Sequence, residues 1–188
     1  LTAKIENKIN SKYTLVRLND IRKFELRIGR RVLSSEMEVN GVYPVYSANV
    51  RNKFGNINNL LFKDFDIPSI LWGIDGDWMV TYIDKETPFY PTDHCGVLRV
   101  LDKDIIPKYI ALSLEVIGKI HGFSRAYRAS TERISSVQLP IPPRKIQEHI
   151  VKECEIVDNE YRDSRMSIEI YQQRIADIFD KFDIISKD

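Results

Sequence analysis

The stretch LPIPPRKIQEHIV, residues 139–151, separates a region of short apolar runs and turns from a region with the apolar spacing of a long helix. Its prolines, Pro140, Pro142 and Pro143, interrupt regular structure, because proline fixes φ and the residue before a proline avoids the helical region. Proline is well tolerated in the first turn of a helix, so a new helix can begin directly after this stretch. We therefore expect one domain over residues 15–142 and a helical spacer or dimerisation region over residues 143–188.

Beyond the prolines, apolar residues recur at alternating spacings of four and three, the pattern of a coiled-coil seam. Forty residues of continuous helix would reach roughly 60 Å, which exceeds the body of a domain of this size. We expect a second protein or domain to cover the seam; the alternative is that the chain folds back near Asp163 and Ser164. The predicted helix-interface residues are Ile150, Cys154, Val157, Tyr161, Ile168, Tyr171, Ile175, Ile178 and Phe182.

Before the prolines, short apolar runs alternate with turn residues, which favours strands joined by exposed loops. The predicted fold class is α+β: a compact mixed domain with an antiparallel or mixed sheet, followed by a long C-terminal coiled-coil-type helix. The predicted strands run from Val42 to Tyr46, from Ile70 to Trp72, from Met79 to Ile83 and from Val97 to Leu101.

Three helices are also predicted within the domain by local signals. A three-residue apolar spacing predicts the first. A proline at the start and a glycine at the expected C-terminal cap predict the second, and a Ser or Thr N-cap predicts the third. The residues concerned are Leu15, Leu18 and Ile21 for the first helix, Pro107, Ile110, Leu114, Ile117 and Gly122 for the second, and Ser130, Thr131 and Ile134 for the third.

Composition and charge limit the function classes. The chain has 43% apolar residues, enough for a core, and a net charge of only +1, which argues against indiscriminate nucleic-acid binding. The charge is uneven, because residues 1–31 hold nine Lys/Arg against three Asp/Glu, whereas residues 32–142 hold eleven against thirteen. Any DNA binding must therefore depend on local charge.

The cysteine pattern suggests a cytoplasmic setting. Cys95 and Cys154 follow no metal-ligand or redox spacing, and no apolar stretch approaches the length of a membrane span. Residues 1–14 are polar and are interpreted as a linker or upstream tail. Because residue 1 is not Met, we expect a piece of a longer polypeptide.

No set of residues predicts catalysis or a metal site. His94 lies between Asp93 and Cys95, but neighbouring strand residues point to opposite faces, so it is interpreted as a strand histidine without a role. Acidic residues near Lys85 faintly suggest a metal-dependent nuclease, although turn chemistry explains an Asp-Gly pair more simply. These acidic residues are Asp75, Asp77, Asp84 and Glu86.

Basic, aromatic and amide side chains suggest a binding surface instead. Guanidinium groups engage phosphates or guanine edges, and amides and hydroxyls suit base edges. The alternative is a solvated surface whose aromatic side chains pack inward. The predicted DNA-binding residues are Arg27, Arg30, Arg31, Ser47, Asn49, Arg51, Asn52, Lys53, Arg125, Tyr127 and Arg128.

Five segments in order resemble the target recognition domain of type I restriction-modification specificity subunits. They are VRLNDI at 16–21, GVYPVYS at 41–47, PSILWG at 68–73, PTDHC at 91–95, and the stretch at 139–151 with its Pro-Pro-x-x-x-Gln-x-x-Ile pattern. The tail from Cys154 to Phe182 is also similar to the specificity region fused behind an adenine N6 methyltransferase.

The resemblance implies a non-catalytic module that reads one half of a bipartite double-stranded DNA target. A methyltransferase subunit or domain would be one partner, and a second recognition domain would supply the other half, as a homodimer through the C-terminal helix. S-adenosylmethionine, Mg²⁺ and ATP would be bound by partners only. The rival hypotheses are a protein adaptor that uses the heptad helix and, less favoured, the nuclease.

Overall fold

The computed structural model describes residues 9–164 and 166–185, which form three sheets and a set of helices. In chain order the elements are β1 (Leu15–Arg17), β2 (Phe24–Ile28), a short 3-10 helix (Ser34–Glu36), β3 (Tyr43–Tyr46), β4 (Gly55–Ile57), β5 (Ser69–Gly73), β6 (Val80–Ile83), β7 (Tyr90–Pro91), β8 (Cys95–Val100), α1 (Pro107–Ile120), α2 (Thr131–Ser136), β9 (Gln138–Pro140), α3 (Arg144–Ser164) and α4 (Ile168–Lys181).

An antiparallel sheet in the order β2-β8-β5-β6 forms the centre of the molecule. Every residue of β5 and β8 is buried, because both faces of these two strands are covered. Alternate residues point to opposite faces, so Ile70 and Trp72 join the main core while Leu71 packs in a second cluster with Val97. This explains why Ile70, Leu71 and Trp72 of β5 form an apolar run in the sequence.

Two smaller sheets complete the α+β architecture. The first has the order β4-β3-β7, with β3 antiparallel to β4 and parallel to β7. The second pairs β1 with β9. The predicted mixed α+β class is therefore confirmed, and the predicted strands are found with their ends shifted by one or two residues.

The helix predicted after Pro107 is confirmed as α1. Its buried face includes Ile110, Leu114 and Ile117, and Gly122 follows with a φ of +75° in the left-handed region that glycine adopts without strain. The predicted N-cap at Ser130 is also confirmed, since its side chain accepts a hydrogen bond from the Arg133 N–H.

The helix predicted from Leu15 to Ile21 is wrong. Leu15 instead lies in β1 opposite Pro140, and Ile21 is 82% exposed. Apolar residues three positions apart are typical of a helix. Here the backbone groups of β1 instead form hydrogen bonds with β9, about 120 residues further along the chain.

The C-terminal region is a helical hairpin rather than one continuous helix of forty residues. Helix α3 has 21 residues, which confirms a long C-terminal helix, and α4 begins after Ser167, whose hydroxyl accepts a hydrogen bond from the Ile170 N–H. The two helices pack together through the Tyr171 hydroxyl, which donates to Asp158 over 2.6 Å, and through the Tyr161 and Tyr171 rings, whose centroids are 4.9 Å apart.

The apolar seam is therefore largely buried inside this chain. Five predicted interface residues are less than 9% exposed, so the expectation that a second protein or domain covers the seam is wrong for these positions, and the alternative of a folded-back helix is confirmed. Tyr161 and Ile168 remain 36% and 38% exposed. The five buried positions are Ile150, Cys154, Val157, Ile175 and Ile178.

Gln147 joins the hairpin to the rest of the molecule. It is 1% exposed, its side-chain oxygen accepts from the Ile106 N–H over 2.8 Å, and its amide donates to the Pro142 carbonyl over 2.9 Å. Tyr109 of α1 stacks on Phe179 of α4, so the hairpin and the sheet share one core.

Ile9 also packs in this core, although we expect residues 1–14 to form a linker or upstream tail. Residues 1–8 lie outside the described residues.

Candidate nucleic-acid interface

One end of the four-stranded sheet gathers most of the predicted binding residues. Strand β2 ends and β8 begins at the same level, with Ile28 opposite Gly96. Strand β5 also ends there, with Gly73 opposite Cys95. Because antiparallel neighbours place the end of one strand beside the start of the next, the loops after β2 and β5 and before β8 meet at this end.

Residues 123–130, here called the arginine segment, lie against the turn that follows β5. The Ala129 N–H donates to the Ile74 carbonyl over 3.1 Å, and the buried Trp72 indole N–H donates to the Ala129 carbonyl over 2.9 Å. The Trp72 ring packs directly over Gly96, where a Cβ would lie 2.1 Å from the ring. The core of the sheet therefore fixes the backbone of this exposed segment.

The arginine segment is also stiffened by its own contacts. Ser124 and Tyr127 exchange backbone hydrogen bonds of 3.0 and 3.1 Å, and Phe123 stacks on Tyr127 with ring centroids 5.6 Å apart. The guanidinium of Arg133 lies 4.3 Å from the centre of the Tyr127 ring. A segment held in this way loses little conformational entropy when it binds.

Asp75 lies between the arginine segment and the turn before β8. Its carboxylate binds the Arg128 Nε–H through one oxygen and the His94 Nδ1 through the other. Burial alone would raise the pKa of Asp75, but the hydrogen bonds from His94 and Arg128 outweigh it and hold the pKa below its ordinary value. Asp75 is therefore ionised at neutral pH and orients both partners.

Both arginines of the segment still present guanidinium groups to solvent. The side chains of Arg125 and Arg128 are 78% and 58% exposed. Arg125 lies 3.3 Å from Asp77 through its Nε, an exposed pair of the kind that contributes little stability and is easily exchanged for a ligand contact.

The loop of residues 47–54 reaches the same end of the sheet. The Thr92 N–H donates to the Tyr46 carbonyl over 2.8 Å, and the Thr92 hydroxyl donates to Ser47 over 3.0 Å. A Cβ at Gly73 would lie 2.2 Å from the Ala48 carbonyl oxygen, so this loop requires glycine at the end of β5. The predicted residues Ser47 and Asn49 are thus held near the arginine segment.

Some side chains of this loop are held by contacts within the chain, and others are exposed. The Asn49 side-chain oxygen accepts from the backbone N–H groups of Arg51 and Asn52, which shapes the turn. Arg51 pairs with Glu115 of α1 over 2.5 Å, and the Lys53 ammonium donates to Asn56 over 3.4 Å. Asn52 and Lys53 are exposed.

Arg30 and Arg31 follow β2 at this end. The Gly29 N–H donates to the Cys95 carbonyl and the Arg30 N–H to the Pro91 carbonyl, each over 3.1 Å. Both arginines are exposed, and neither forms an ion pair within the described part of the chain. The structure thus brings together all of the predicted residues except one.

The exception is Arg27, which binds Asp64 through two nitrogens at 2.9 and 2.7 Å and also contacts Glu25. Asp64 further binds Arg99, which is 1% exposed, at 2.6 Å. The hydrogen bonds from Arg27 lower the pKa of Asp64 to about 2 and, in turn, raise the pKa of Arg27. These contacts favour a structural role for Arg27.

Two functional candidates were missed in the sequence. His94 lies in a turn before β8 and not within a strand, and its side chain is half exposed at the centre of the gathered loops. The interpretation of His94 as a strand residue is therefore wrong. Its partner Asp75 was interpreted as turn chemistry alone, and the only available signal was its position in a loop after an apolar strand.

No group of three or more His, Cys, Asp or Glu side chains lies close enough to hold a metal ion in residues 9–164 and 166–185. Burial raises the pKa of each thiol, Cys95 and Cys154, to about 12. None of the helices in these same ranges combines the length and the apolar character needed to cross a membrane.

Comparison with known proteins identifies the family of this chain. Residues 10–187 match the type I restriction modification DNA specificity domain, and the chain belongs to this family. It is 32% identical over 129 residues to a type I specificity subunit of Mycoplasma pneumoniae, covering 67% of this chain and 53% of that protein. It is 31% identical to the specificity subunit of the MpnII type I restriction enzyme of the same organism, covering 67% and 38%.

Solved structures show the same fold. The S subunit of a type I restriction-modification system from M. genitalium has a TM-score of 0.64 at 18% identity, covering 90% of this chain and 45% of that one. The HsdS subunit from Thermoanaerobacter tengcongensis has a TM-score of 0.59 at 12% identity, covering 91% and 44%. The chain spans about half the length of these relatives.

Proposed function

We propose that this chain binds double-stranded DNA sequence-specifically and reads one half of a bipartite target for a type I restriction-modification system. The observation that carries the proposal is the arginine segment. Arg125 and Arg128 are exposed but held on a rigid backbone, at the end of the sheet where the loop of residues 47–54 also lies. Rigid placement of donors is what base recognition requires.

The side chains divide between two kinds of DNA contact. Arg128 contacts Asp75 through its Nε, and its side chain is 58% exposed, so in this proposal its guanidinium donates to the O6 and N7 of guanine. Arg30 and Arg31 are exposed and form no ion pair with any residue that the structure describes, which suits contacts with phosphates that position the duplex. Asn52 and Lys53 are exposed in the loop of residues 47–54 and would add further contacts with the duplex.

In this proposal the chain carries no catalytic centre. A methyltransferase subunit would bind S-adenosylmethionine and modify the target, and other subunits would use Mg²⁺ and ATP. A second recognition domain would read the other half-site, supplied by a second copy of this chain or by a longer polypeptide, and the assembly would work in the cytoplasm.

The proposed pairing surface is the outer side of the helical hairpin. Because the seam is buried, the contact with a second domain or with the methyltransferase would use apolar side chains that remain exposed there. Ile156, Ile168 and Ile170 are 50%, 38% and 55% exposed, and Tyr161 is 36% exposed.

Selection of bound duplexes from a random library tests the proposal. The full chain, alone and with its methyltransferase, should enrich a short motif. Changing Arg125 and Arg128 to Ala should weaken binding, by about 1 to 3 kcal/mol for each side chain that contacts a base. Lys85→Ala, in the exposed turn after β6 at the opposite end of the sheet, is the matched control and should bind like the wild type.

Failure to enrich any motif in either form would overturn the proposal. Retention on a DNA column that is lost steeply as salt rises would support it, since phosphate contacts release counterions. A chain that is not retained at low salt would instead favour the protein-adaptor hypothesis.

A further inference from the structure

His94 has a geometry that suits recognition of one particular class of base. Its side chain is half exposed, and Asp75 binds its Nδ1. The pKa of Asp75 is lowered, so its carboxylate is ionised and can only accept. Nδ1 must therefore carry the proton, and in the uncharged imidazole the other nitrogen, Nε2, is a hydrogen-bond acceptor.

No residue in the described part of the chain forms a hydrogen bond with the Nε2 atom of His94. Asp93 Oδ1 lies 3.9 Å from it, which is beyond hydrogen-bond length. His94 cannot turn freely, because Asp75 also binds Arg128 and is 26% exposed. The His94 backbone N–H is held as well, by the Thr92 hydroxyl at 3.3 Å. The acceptor is thus fixed in place amid the donors of the gathered loops.

An acceptor at this position distinguishes among the four bases. Phosphate oxygens are acceptors, so an uncharged Nε2 gains nothing from the backbone of a duplex. In the major groove, the donors are the exocyclic amines of adenine and cytosine, whereas guanine and thymine present only acceptors and a methyl group. The neighbouring Arg128 offers the opposite chemistry, since a guanidinium only donates.

We infer that His94 is a specificity-determining residue that reads the exocyclic amine of one adenine or cytosine in the major groove, and that Asp75 positions it. The inference rests on the proposed function. Asp75 would also orient Arg128, so that one carboxylate aligns an acceptor and a donor for two nearby bases.

Selection from the random library with His94→Ala tests the inference. Wild type should require adenine or cytosine at one position of its motif, and the variant should lose that preference alone. Affinity for the wild-type site should fall roughly 5- to 150-fold, which corresponds to one good base contact. The salt dependence should not change, because no phosphate contact is lost. His149→Ala, an exposed histidine on α3, is the matched control.

A base analogue tests whether the exocyclic amine is the group that His94 contacts. Replacing the chosen adenine or cytosine by an analogue without its exocyclic amine should weaken wild-type binding as much as His94→Ala does. The analogue should cost the variant little more, because both changes remove the same contact. Thermal unfolding of the variant should match the wild type, since the side chain is half exposed.

The outcomes separate the two hypotheses. If the wild-type chain enriches no motif, the proposed function is overturned. A motif that His94→Ala leaves unchanged overturns the inference while the proposed function stands. If the affected position requires guanine, or if affinity falls evenly across sequences with a smaller salt dependence, His94 acts as a donor and the inference is also overturned.

Discussion

At the residue scale, Asp64 shows how a charge can be used inside the fold and not at the interface. It binds Arg99, which is 1% exposed between the rings of Phe62 and Phe65, and it also binds Arg27. A buried guanidinium is costly unless it is paired. The loop that carries Asp64 is therefore held over the second hydrophobic cluster by charge as well as by packing.

Changing Asp64 to Asn should lower the free energy of unfolding by about 3 kcal/mol at pH 7. The change leaves Arg99 buried without its carboxylate, and the lower end of the usual range applies because Asp64 is itself partly exposed. Urea unfolding measures the loss. Asp66→Asn, an exposed neighbour, is the control and should change stability by less than about 0.5 kcal/mol.

The same pair predicts a pH dependence. Because the pKa of Asp64 falls from 3.8 to about 2 on folding, its contribution is fully present above the unfolded pKa and is lost as the pH falls through the folded value. The stability difference between wild type and Asp64→Asn should thus shrink between about pH 4 and pH 2. A difference that stays constant over this range would contradict the assigned pairing.

At the element scale, the helical hairpin decides what the C-terminal region can do. A seam of alternating four- and three-residue spacings is equally satisfied by a partner helix or by the chain's own second helix. Here the break before Ser167 allows α4 to return along α3, and Lys181 pairs with Glu153 over 2.6 Å. The hairpin therefore buries its own seam.

A cross-link distinguishes this hairpin from an exchanged dimer. With Cys at positions 153 and 181, through Glu153→Cys and Lys181→Cys, a short bifunctional thiol reagent should join the two helices within one chain. The native thiols, Cys95 and Cys154, are buried and should react slowly. Denaturing gels would then show a monomer. A cross-linked dimer would mean that the helices pair between chains, and either single Cys variant is the control.

At the scale of the whole molecule, charge is less available than the sequence suggests. Among the basic residues near the N-terminus, Lys12, Arg22, Lys23 and Arg27 are all engaged in ion pairs. Four exposed basic residues, Arg30, Arg31, Arg125 and Arg128, lie at one end of the central sheet. A net charge of +1 is thus compatible with a localised surface for a polyanion.

Changing Arg30 and Arg31 together to Ala should reduce the slope of log affinity against log salt by about 2, because two phosphate contacts are lost. The selected motif should stay the same. Binding titrations at several salt concentrations measure the slope. Lys152→Ala with Arg162→Ala removes the same charge from the hairpin and should leave the slope unchanged; a change of motif in the first variant would assign Arg30 or Arg31 to a base.

The sequence by itself determined those features that depend on residues close together along the chain. The apolar runs of the strands, the ends of α1 and the proline junction all depend on neighbours within a few positions, so the α+β class and the family pattern could be predicted from the sequence. The predicted binding residues came from residue type, because exposed basic and amide side chains suit nucleic acid. The proline junction is a local structure, because the Gln147 side-chain amide donates to the Pro142 carbonyl within the same stretch.

Only the tertiary structure decided which polar groups meet. Arg27 finds Asp64 across 37 residues, and Trp72 anchors Ala129 across 57. The same holds for the end of the sheet where His94 and Asp75 lie, and for the hairpin that buries the seam. A side chain's charge or periodicity is set by its own residue type, but its partner is set by how distant segments pack, and several packings can satisfy one local pattern.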